Sequence, residues 1–337
     1  MSKLIFTLVF IETVLVGCGS GLPDLTSVMN SSSSSNTSGL TSPNTSQFIP
    51  PPNFPQPQPA PAKKTALDFD GNGKADFVVM RPSAGGFYVE GLSVGVPATP
   101  QAGDIPVPAN YDGTGTELAF FRPSNGTWYR YAYGQTIAYQ WGMQGDVPVR
   151  GDFDGDGRDD LAVWRPSNGT FYVIPSSNPS SQISFQYGEA GDIPVVADYD
   201  GDGKADFAVW RPGSSSYFYV VPSSNPSNQI SFQWGEAGDI PVVADYDGDG
   251  KADFAVWRPG AQAYFYVMGS KGGSMSVPFG QTGDIPVVAD YDGDGKADMT
   301  VWRPGPSAYF YVNPSSGGQM LSVQWGESGD MPGYGSP

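Results

Sequence analysis

The most distinctive chemistry in this sequence is a nine-residue acidic segment, DYDGDGKAD, which starts at Asp198 and returns unchanged at Asp245 and Asp290. Carboxylates stand at segment positions 1, 3, 5 and 9, and the glycines at positions 4 and 6 permit a tight, left-handed turn. Carboxylate oxygens and one backbone carbonyl on so short a loop favour a hard cation, and calcium suits the crowded shell better than magnesium. The segment therefore predicts structural calcium sites, with plain Asx turns between strands as the alternative.

Three related segments extend the series, and one of them departs from it. DFDGNGKAD starts at Asp68 and DFDGDGRDD starts at Asp152, so both keep the acidic spacing. The segment NYDGTGTE, from Asn110, has fewer acids and is one residue shorter before Glu117. Because it offers less negative charge, we predict that this second segment binds calcium weakly or not at all.

The six segments recur at intervals of 42 to 47 residues, and each repeat contains four strand-sized runs separated by Gly, Pro, Ser and Asn. In the region 192–235 these runs are DIPVVA, DFAVWRP, YFYVV and QISFQWG. Four short strands in a repeat of this length are typical of a propeller blade. The sequence therefore predicts an all-β fold, a six-bladed β-propeller of four-stranded antiparallel blades with the acidic loops between the first and second strands.

The two ends of the repeat array complement each other. The array starts without the GDIP motif that precedes the other acidic segments, whereas Gly329–Pro332 supplies an additional GDMP at the other end. A C-terminal segment that completes the first blade closes a propeller and hides its sheet edges. We therefore expect a closed ring, and a stack of repeats with open ends is the alternative.

The run DYDGDGKADFAVWRP, followed by YFYV, resembles the FG-GAP or VCBS-type repeat of integrin α-subunit propellers and many bacterial surface proteins. The resemblance covers residues 63–337 and implies about five structural calcium sites, one in each full loop. Carried over position by position, it implicates as ligands Asp68, Asp70, Asn72, Asp76, Asp152, Asp154, Asp156, Asp160, Asp198, Asp200, Asp202, Asp206, Asp245, Asp247, Asp249, Asp253, Asp290, Asp292, Asp294 and Asp298.

One arginine and one aspartate recur in every repeat, in the RP and GDIP-type motifs. They are Arg81, Arg122, Arg165, Arg211, Arg258 and Arg303, with Asp104, Asp146, Asp192, Asp239, Asp284 and Asp330. A ligand site normally breaks such symmetry, so we expect ion pairs between strands or blades, with ligand binding as the alternative. The repeated tryptophans are expected to pack within the blades, with sugar-stacking platforms as the alternative. The variable turns after RP are better candidates for recognition.

The composition excludes several kinds of chemistry. The chain has no histidine and one cysteine, which excludes a histidine-based triad, a Cys/His zinc site and an internal disulfide. Its net charge of −17 repels phosphate backbones, and its few basic residues are not clustered. Nucleic acid is therefore not an expected partner, and we expect a monomer.

The first residues, MSKLIFTLVFIETVLVGCGS, resemble the signal peptide and lipobox of bacterial lipoproteins. The resemblance implies cleavage before Cys18 and acylation of that residue, so residues 1–18 form the predicted signal. Residues 19–62 are rich in Ser, Asn, Pro and Gln and predict a disordered linker to the propeller, residues 63–337. We expect a lipid-anchored protein of the bacterial cell envelope, at the outer membrane or cell surface rather than the inner membrane.

These features predict a calcium-stabilised module that is not an enzyme and binds a protein or a glycan through its propeller loops, in adhesion or recognition. The alternative is a lyase or hydrolase acting on polysaccharides with paired carboxylates. The prominent carboxylates belong to repeated elements, whereas an acid/base pair would interrupt the pattern. The pattern favours the binding module.

Overall fold

Six four-stranded antiparallel sheets make up the described part of the chain, residues 66–92 and 96–333 of the computed structural model, without the side chains of residues 96 and 97. These residues belong to one compact unit, and they include no helix long or apolar enough to cross a membrane. The predicted signal peptide with Cys18 and the predicted linker lie outside the described residues. The prediction of an all-β, six-bladed propeller is confirmed.

The strands are numbered in chain order. Blade 1 contains β1 (Val78–Arg81), β2 (Gly86–Val89) and β3 (Val96–Pro97), with a 3-10 turn at Pro82–Ala84. Blade 2 contains β4 (Ile105–Pro106), β5 (Leu118–Arg122), β6 (Thr127–Ala132) and β7 (Gln135–Gln140). Blade 3 contains β8 (Val147–Val149), β9 (Leu161–Arg165), β10 (Thr170–Ile174) and β11 (Ile183–Gln186).

Blade 4 contains β12 (Ile193–Pro194), β13 (Phe207–Arg211), β14 (Tyr217–Val221) and β15 (Ile230–Gln233). Blade 5 contains β16 (Ile240–Pro241), β17 (Phe254–Arg258), β18 (Tyr264–Met268) and β19 (Ser274–Pro278). Blade 6 contains β20 (Ile285–Pro286), β21 (Met299–Arg303), β22 (Tyr309–Asn313) and β23 (Leu321–Gln324), and β24 (Met331–Pro332) joins blade 1. The first strand of blade 4 is shorter than the predicted run DIPVVA.

The last strand of the chain closes the ring. β24 pairs with β1, so that Met331 lies opposite Met80 and Pro332 lies opposite Val79. The backbone N–H of Gly333 extends this pairing by donating to Val78 O at 2.8 Å. Blade 1 is therefore built from both ends of the array, which confirms the closed ring and excludes the open stack.

Aromatic side chains form the core of each blade and the contacts between blades. Trp210 and Phe218 face each other across β13 and β14, and neither side chain has any exposed surface. Between blades, Tyr199 stacks on Phe254 of the next blade with ring centroids 5.4 Å apart. Because β13 is covered on both faces, every residue from Phe207 to Trp210 is apolar and buried.

The first strands of blades 2 to 6 surround the centre of the ring. Side chains that include Val107, Val149, Val195 and Val242 line one cavity of about 130 Å³. The second, third and fourth strands follow outward in hydrogen-bonded order. This order places the loops between strands one and two, and between strands three and four, at the same end of every blade.

Candidate calcium-binding loops

Four acidic loops connect the first and second strands of blades 3, 4, 5 and 6, as predicted. A fifth acidic loop leads into β1 of blade 1, whose first strand, β24, comes from the other end of the array. In blade 4 the loop is closed at its base by an isolated bridge between Ala197 and Asp206. The Asp198 carboxylate accepts the backbone N–H groups of Gly201 at 2.6 Å and Gly203 at 3.0 Å. Both glycines have left-handed backbone, with φ of 80° and 88°. The segment thus wraps its backbone around its own first carboxylate.

Each of the five loops brings three carboxylates together, with one oxygen from each within 4.8 Å of the others. In blades 1, 3, 4 and 5 the three carboxylates stand at loop positions 1, 3 and 9, and in blade 6 they stand at positions 1, 3 and 5. The groups are Asp68, Asp70 and Asp76; Asp152, Asp154 and Asp160; Asp198, Asp200 and Asp206; Asp245, Asp247 and Asp253; and Asp290, Asp292 and Asp294. Three oxygen donors of like charge at this separation fit a hard divalent cation such as calcium.

The remaining predicted ligands lie beside these groups. Asp202, at position 5 of blade 4, accepts the N–H of Lys204 at 2.8 Å and the hydroxyl of Ser223 at 2.8 Å. In blade 6, Asp298 at position 9 accepts the N–H groups of Tyr291 at 2.8 Å and Ser315 at 2.6 Å. The predicted ligands that do not belong to a three-carboxylate group are Asn72, Asp156, Asp202, Asp249 and Asp298.

The connection between strands three and four adds serines that the sequence analysis missed. In blade 4, Ser223 donates its N–H to Asp206 at 2.6 Å, and the Ser224 hydroxyl donates to Asp200 at 2.6 Å. Serines in blades 3, 5 and 6 make corresponding contacts; they are Ser176, Ser177, Ser270, Ser315 and Ser316. The signal was the repeated serine 16 or 17 residues after the last acid of each loop. These hydroxyls are further oxygen donors beside the carboxylates.

Several loop carboxylates are held in an environment that disfavours their negative charge. Burial, followed by the charge of Asp154, raises the pKa of Asp160 to about 8. Burial also raises the pKa of Asp152 to about 6 and that of Asp206 to about 6. A bound divalent cation would stabilise the ionised carboxylates and offset this penalty.

Neighbouring acidic loops are linked to one another across the blade boundaries. The N–H of Ala205 in blade 4 donates to the carbonyl of Asp152 in blade 3 at 2.7 Å. The Lys204 side chain crosses the same boundary, where a Cβ on Gly155 would lie 2.8 Å from its Cε. Equivalent N–H to carbonyl bonds run from Ala252 to Asp198 and from Ala297 to Asp245. An ion that orders one loop therefore also supports the junction with the next blade.

Blade 2 departs from this arrangement, in line with the prediction for its loop. Among its described residues, acidic side chains form no group of three. Glu117 takes the place of the last aspartate, because it bridges to Ala109 as Asp206 bridges to Ala197. Burial raises the pKa of Glu117 to about 7, and the nearby Arg130 opposes that shift.

The repeated arginines and aspartates form ion pairs at the other end of the blades, as predicted. In blade 4, Arg211 donates from Nε and a terminal nitrogen to the two Asp192 oxygens at 2.7 and 2.9 Å. The Asp192 carboxylate also accepts the N–H of Glu189 at 2.9 Å and has 1% of its side chain exposed. All six blades contain this pair between the first and second strands, including Arg81 with Asp330 from the closing segment.

The repeated tryptophans pack the blades, as predicted. Trp164, Trp210, Trp257 and Trp302 are completely buried. The Trp234 indole N–H crosses to the next blade and donates to the carbonyl of Tyr266 at 3.1 Å. The completely buried tryptophans present no ring face to a ligand, whereas Trp234 and Trp325 are half-buried.

Two stretches of the chain, residues 152–209 and 245–301, match the family model of the FG-GAP-like repeat. Each stretch starts at the first acid of one loop and continues into the second strand of the following blade. The chain thus carries FG-GAP-like repeats on a six-bladed propeller. No curated protein matches this chain in sequence.

Solved structures that are similar to this chain include a lectin of Agrocybe aegerita, described by its specific recognition of non-reducing terminal N-acetylglucosamine. It is 16% identical, with a TM-score of 0.47, over 76% of this chain and 77% of the lectin. BBS1N in complex with ARL6DN is 12% identical, with a TM-score of 0.47, over 81% of this chain and 91% of that one. The dihydro-heme d1 dehydrogenase NirN is 14% identical, with a TM-score of 0.35, over 82% of this chain and 62% of that one. Similarities at this level say nothing about ligands.

Proposed function

We propose that this protein is a non-catalytic, calcium-stabilised binding module that presents repeated carbohydrate sites on a rigid ring. The proposal is carried by a group of side chains that blades 4 and 6 share. In blade 4, Tyr217 and Tyr219 stack with centroids 6.0 Å apart, and the Tyr217 hydroxyl donates to Gln233 at 3.2 Å. The Arg211 guanidinium lies over the Tyr219 ring, 4.8 Å from its centroid. We call these four residues the blade-4 platform.

Blade 6 repeats the platform with the same residue types. Tyr309 and Tyr311 stack at 5.9 Å, and the Tyr309 hydroxyl donates to Gln324 at 3.1 Å. Arg303 lies 4.5 Å from the Tyr311 centroid. Blade 5 keeps the tyrosine pair but has Pro278 opposite Tyr264, so the amide is missing there.

The platforms combine the two contacts that a sugar needs. Half-buried tyrosine rings offer apolar surface to the C–H face of a pyranose, while amide, phenol and guanidinium groups can bond its hydroxyls. Tyr217 follows the turn after the RP motif, which is where the sequence analysis placed recognition. Because the ring holds the two platforms at a fixed distance from each other, a repetitive glycan could engage both at a time and gain avidity.

The carboxylates beside the platform support binding rather than hydrolysis. Both Asp192 oxygens are already held by Arg211, and Glu189 forms a second ion pair with the same guanidinium. A general acid or nucleophile needs a carboxyl group that can reach the substrate. The acids at this end of the blade are instead committed to fixing the arginine.

A glycan array probed in calcium tests the proposal, with the double variant Tyr217→Ala/Tyr309→Ala as the key comparison. Loss of both platforms is expected to weaken binding of the best glycan at least about tenfold, as for other aromatic anchors. Met320→Ala is the matched control, because Met320 is exposed and lies in the connection at the opposite end of blade 6. Equal binding by wild type and double variant would reject the platforms, and release of shortened glycan would favour the enzyme.

We also propose that the module is held at the bacterial envelope by acylation of Cys18, on the strength of the lipobox-like sequence. The chain has a single cysteine, so Cys18→Ser removes every thiol that could carry a lipid. The variant is expected to leave the membrane fraction or to retain its signal, whereas Ser20→Ala, outside the lipobox, fractionates like the wild type. Fractionation and intact-mass analysis would contradict the anchor if the wild type carried no acyl mass.

A further inference from the structure

Arg130 is a buried charge at a position where the other blades have a valine. It pairs with Ala119 across β5 and β6, as Val220 pairs with Ala208 across β13 and β14. The residues at the same register in the other blades are Val89, Val173, Val220, Val267 and Val312. These valines are buried, and Arg130 is itself only 6% exposed. Because a buried charge is costly unless it is compensated, Arg130 needs a partner inside blade 2.

The partner of Arg130 is the acid of the departing loop. Arg130 Nε lies 3.7 Å from Glu117 Oε2, and both side chains are 7% exposed. At this distance the contact is an ion pair rather than a hydrogen bond. The guanidinium also lies over the rings of Tyr111, at 5.3 Å, and Tyr139, at 5.5 Å. The cation is therefore enclosed between the loop and the third and fourth strands.

Two further changes in blade 2 accompany the arginine. The loop carries Asn110 and Thr114 where blade 4 has Asp198 and Asp202. The third and fourth strands are joined by two residues, Tyr133 and Gly134, both with left-handed backbone, in place of a serine-containing connection. Blade 2 has thus lost carboxylates and serine hydroxyls together and has gained one buried cation.

We propose that the Arg130 guanidinium supplies, within blade 2, the positive charge that a calcium ion supplies in the other five acidic loops. The inference rests on the proposed calcium role of those loops. The loop of blade 2 has kept two acids, Asp112 and Glu117, and one permanent positive charge compensates part of their negative charge. A divalent ion would do the same in the more acidic loops. Blade 2 is then ordered without metal, and it anchors blade 3 through the bond from Asp159 N–H to Asn110 O at 2.8 Å.

Hydrogen exchange of the full-length protein, with and without calcium, tests the inference. Peptides covering 118–140 in blade 2 are expected to keep their protection after chelation, whereas peptides covering 207–233 in blade 4 lose about tenfold or more. Equal loss in the two blades would overturn the proposal. Loss in neither blade would show that calcium has no role in the other loops, and it would overturn the equivalence between Arg130 and a calcium ion.

The variants separate the charge of Arg130 from its volume. Arg130→Met leaves Glu117 as a buried, uncompensated acid and is expected to lower the melting temperature by about 5 °C or more, equally with and without calcium. Adding Glu117→Gln removes that acid and should recover most of the loss, and Arg130→Lys should retain most of the stability. Failure of the double variant to recover would overturn the role of Arg130 as a cation, whatever the behaviour of the calcium loops. If Arg130→Met does not fold, recovery of a folded protein in the double variant gives the same answer.

Discussion

Removing calcium is expected to lower the melting temperature of the propeller by more than about 10 °C. Sites with dissociation constants on the order of 10⁻⁴ to 10⁻³ M each contribute about 1.4–2.7 kcal/mol in about 10 mM calcium. Five such loops together contribute about 7–14 kcal/mol, which is comparable with the whole stability of an ordinary domain. Calorimetry of metal-free protein, before and after calcium is restored, measures the shift. The absence of both a thermal shift and bound metal would identify the loops as plain Asx turns.

Paired substitutions at loop position 3 assign the ions to individual blades. Asp200 belongs to the carboxylate group of blade 4, whereas Asp112 holds the same position in the departing loop of blade 2. Asp200→Asn is expected to remove one of the five predicted calcium ions and its share of the stabilisation, and Asp112→Asn is expected to remove none. Metal analysis of the two variants provides the count, and a lost ion in Asp112→Asn would place calcium in blade 2.

The melting temperature of the calcium-free protein is expected to depend on pH, and the loop carboxylates determine the sign of that dependence. Burial raises the pKa of Asp160 to about 8 and those of Asp152 and Asp206 to about 6, above the ordinary value of 3.8. The folded, calcium-free state therefore holds extra protons on these three carboxylates. Their contribution to its stability is fully present below about pH 4 and is lost as the pH rises through 6 and 8. Calcium stabilises the ionised carboxylates, so the decline should disappear in its presence. A flat melting temperature from about pH 4 to 8 in metal-free protein would contradict this coupling.

The second large effect is expected from ending the chain at Gly326, which removes β24 and Asp330. Arg81 then loses two hydrogen bonds of 2.7 and 2.8 Å to a carboxylate that is completely buried in the intact ring. Breaking such a pair costs on the order of 3 kcal/mol or more, and β1 also loses its pairing partner. We expect the melting temperature to fall by about 5–10 °C, and we expect the uncovered edge of β1 to promote oligomers.

Full-length controls separate the ion pair from the closing strand. Asp330→Asn weakens the pair but keeps β24, and Asp284→Asn makes the same change inside blade 6, away from the closure. The two substitutions should cost similar amounts, and both should cost less than the truncation. Melting and sedimentation identical to those of the intact protein would show that the last strand does not hold the ring together.

Much of this architecture can be predicted from the sequence, because the same residue spacing recurs in one repeat after another. Four of the five acidic loops place their first, third and ninth residues close together within one turn, so residue spacing alone identified Asp198, Asp200 and Asp206 as neighbours. The pairing of Arg211 with Asp192 was also predictable, because the two motifs recur together in every repeat. The closing strand followed from a motif that is missing at one end of the array and present at the other.

Other features depend on which strands and blades lie side by side, which residue spacing does not reveal. Ser223 meets Asp206 because the connection between strands three and four folds over the loop between strands one and two. Lys204 lies over Gly155 because blades stack in one direction around the ring. The tyrosine platforms arise from the register of the third and fourth strands, which sets Tyr217 opposite Gln233.

Arg130 is the clearest example of a residue whose role depends on the tertiary structure and not on the local sequence. In the sequence it is a single basic residue within the aromatic run TWYRYA, and the neighbouring residues do not indicate a partner for it. Packing decides its role, because strand register places it on the buried face of β6, against Glu117 of the preceding loop. The sequence by itself determined the blades, the ring and the acidic loops, since these follow from short-range spacing repeated six times. Only the tertiary structure decided which charges are buried together, since burial is a property of surfaces that meet after folding.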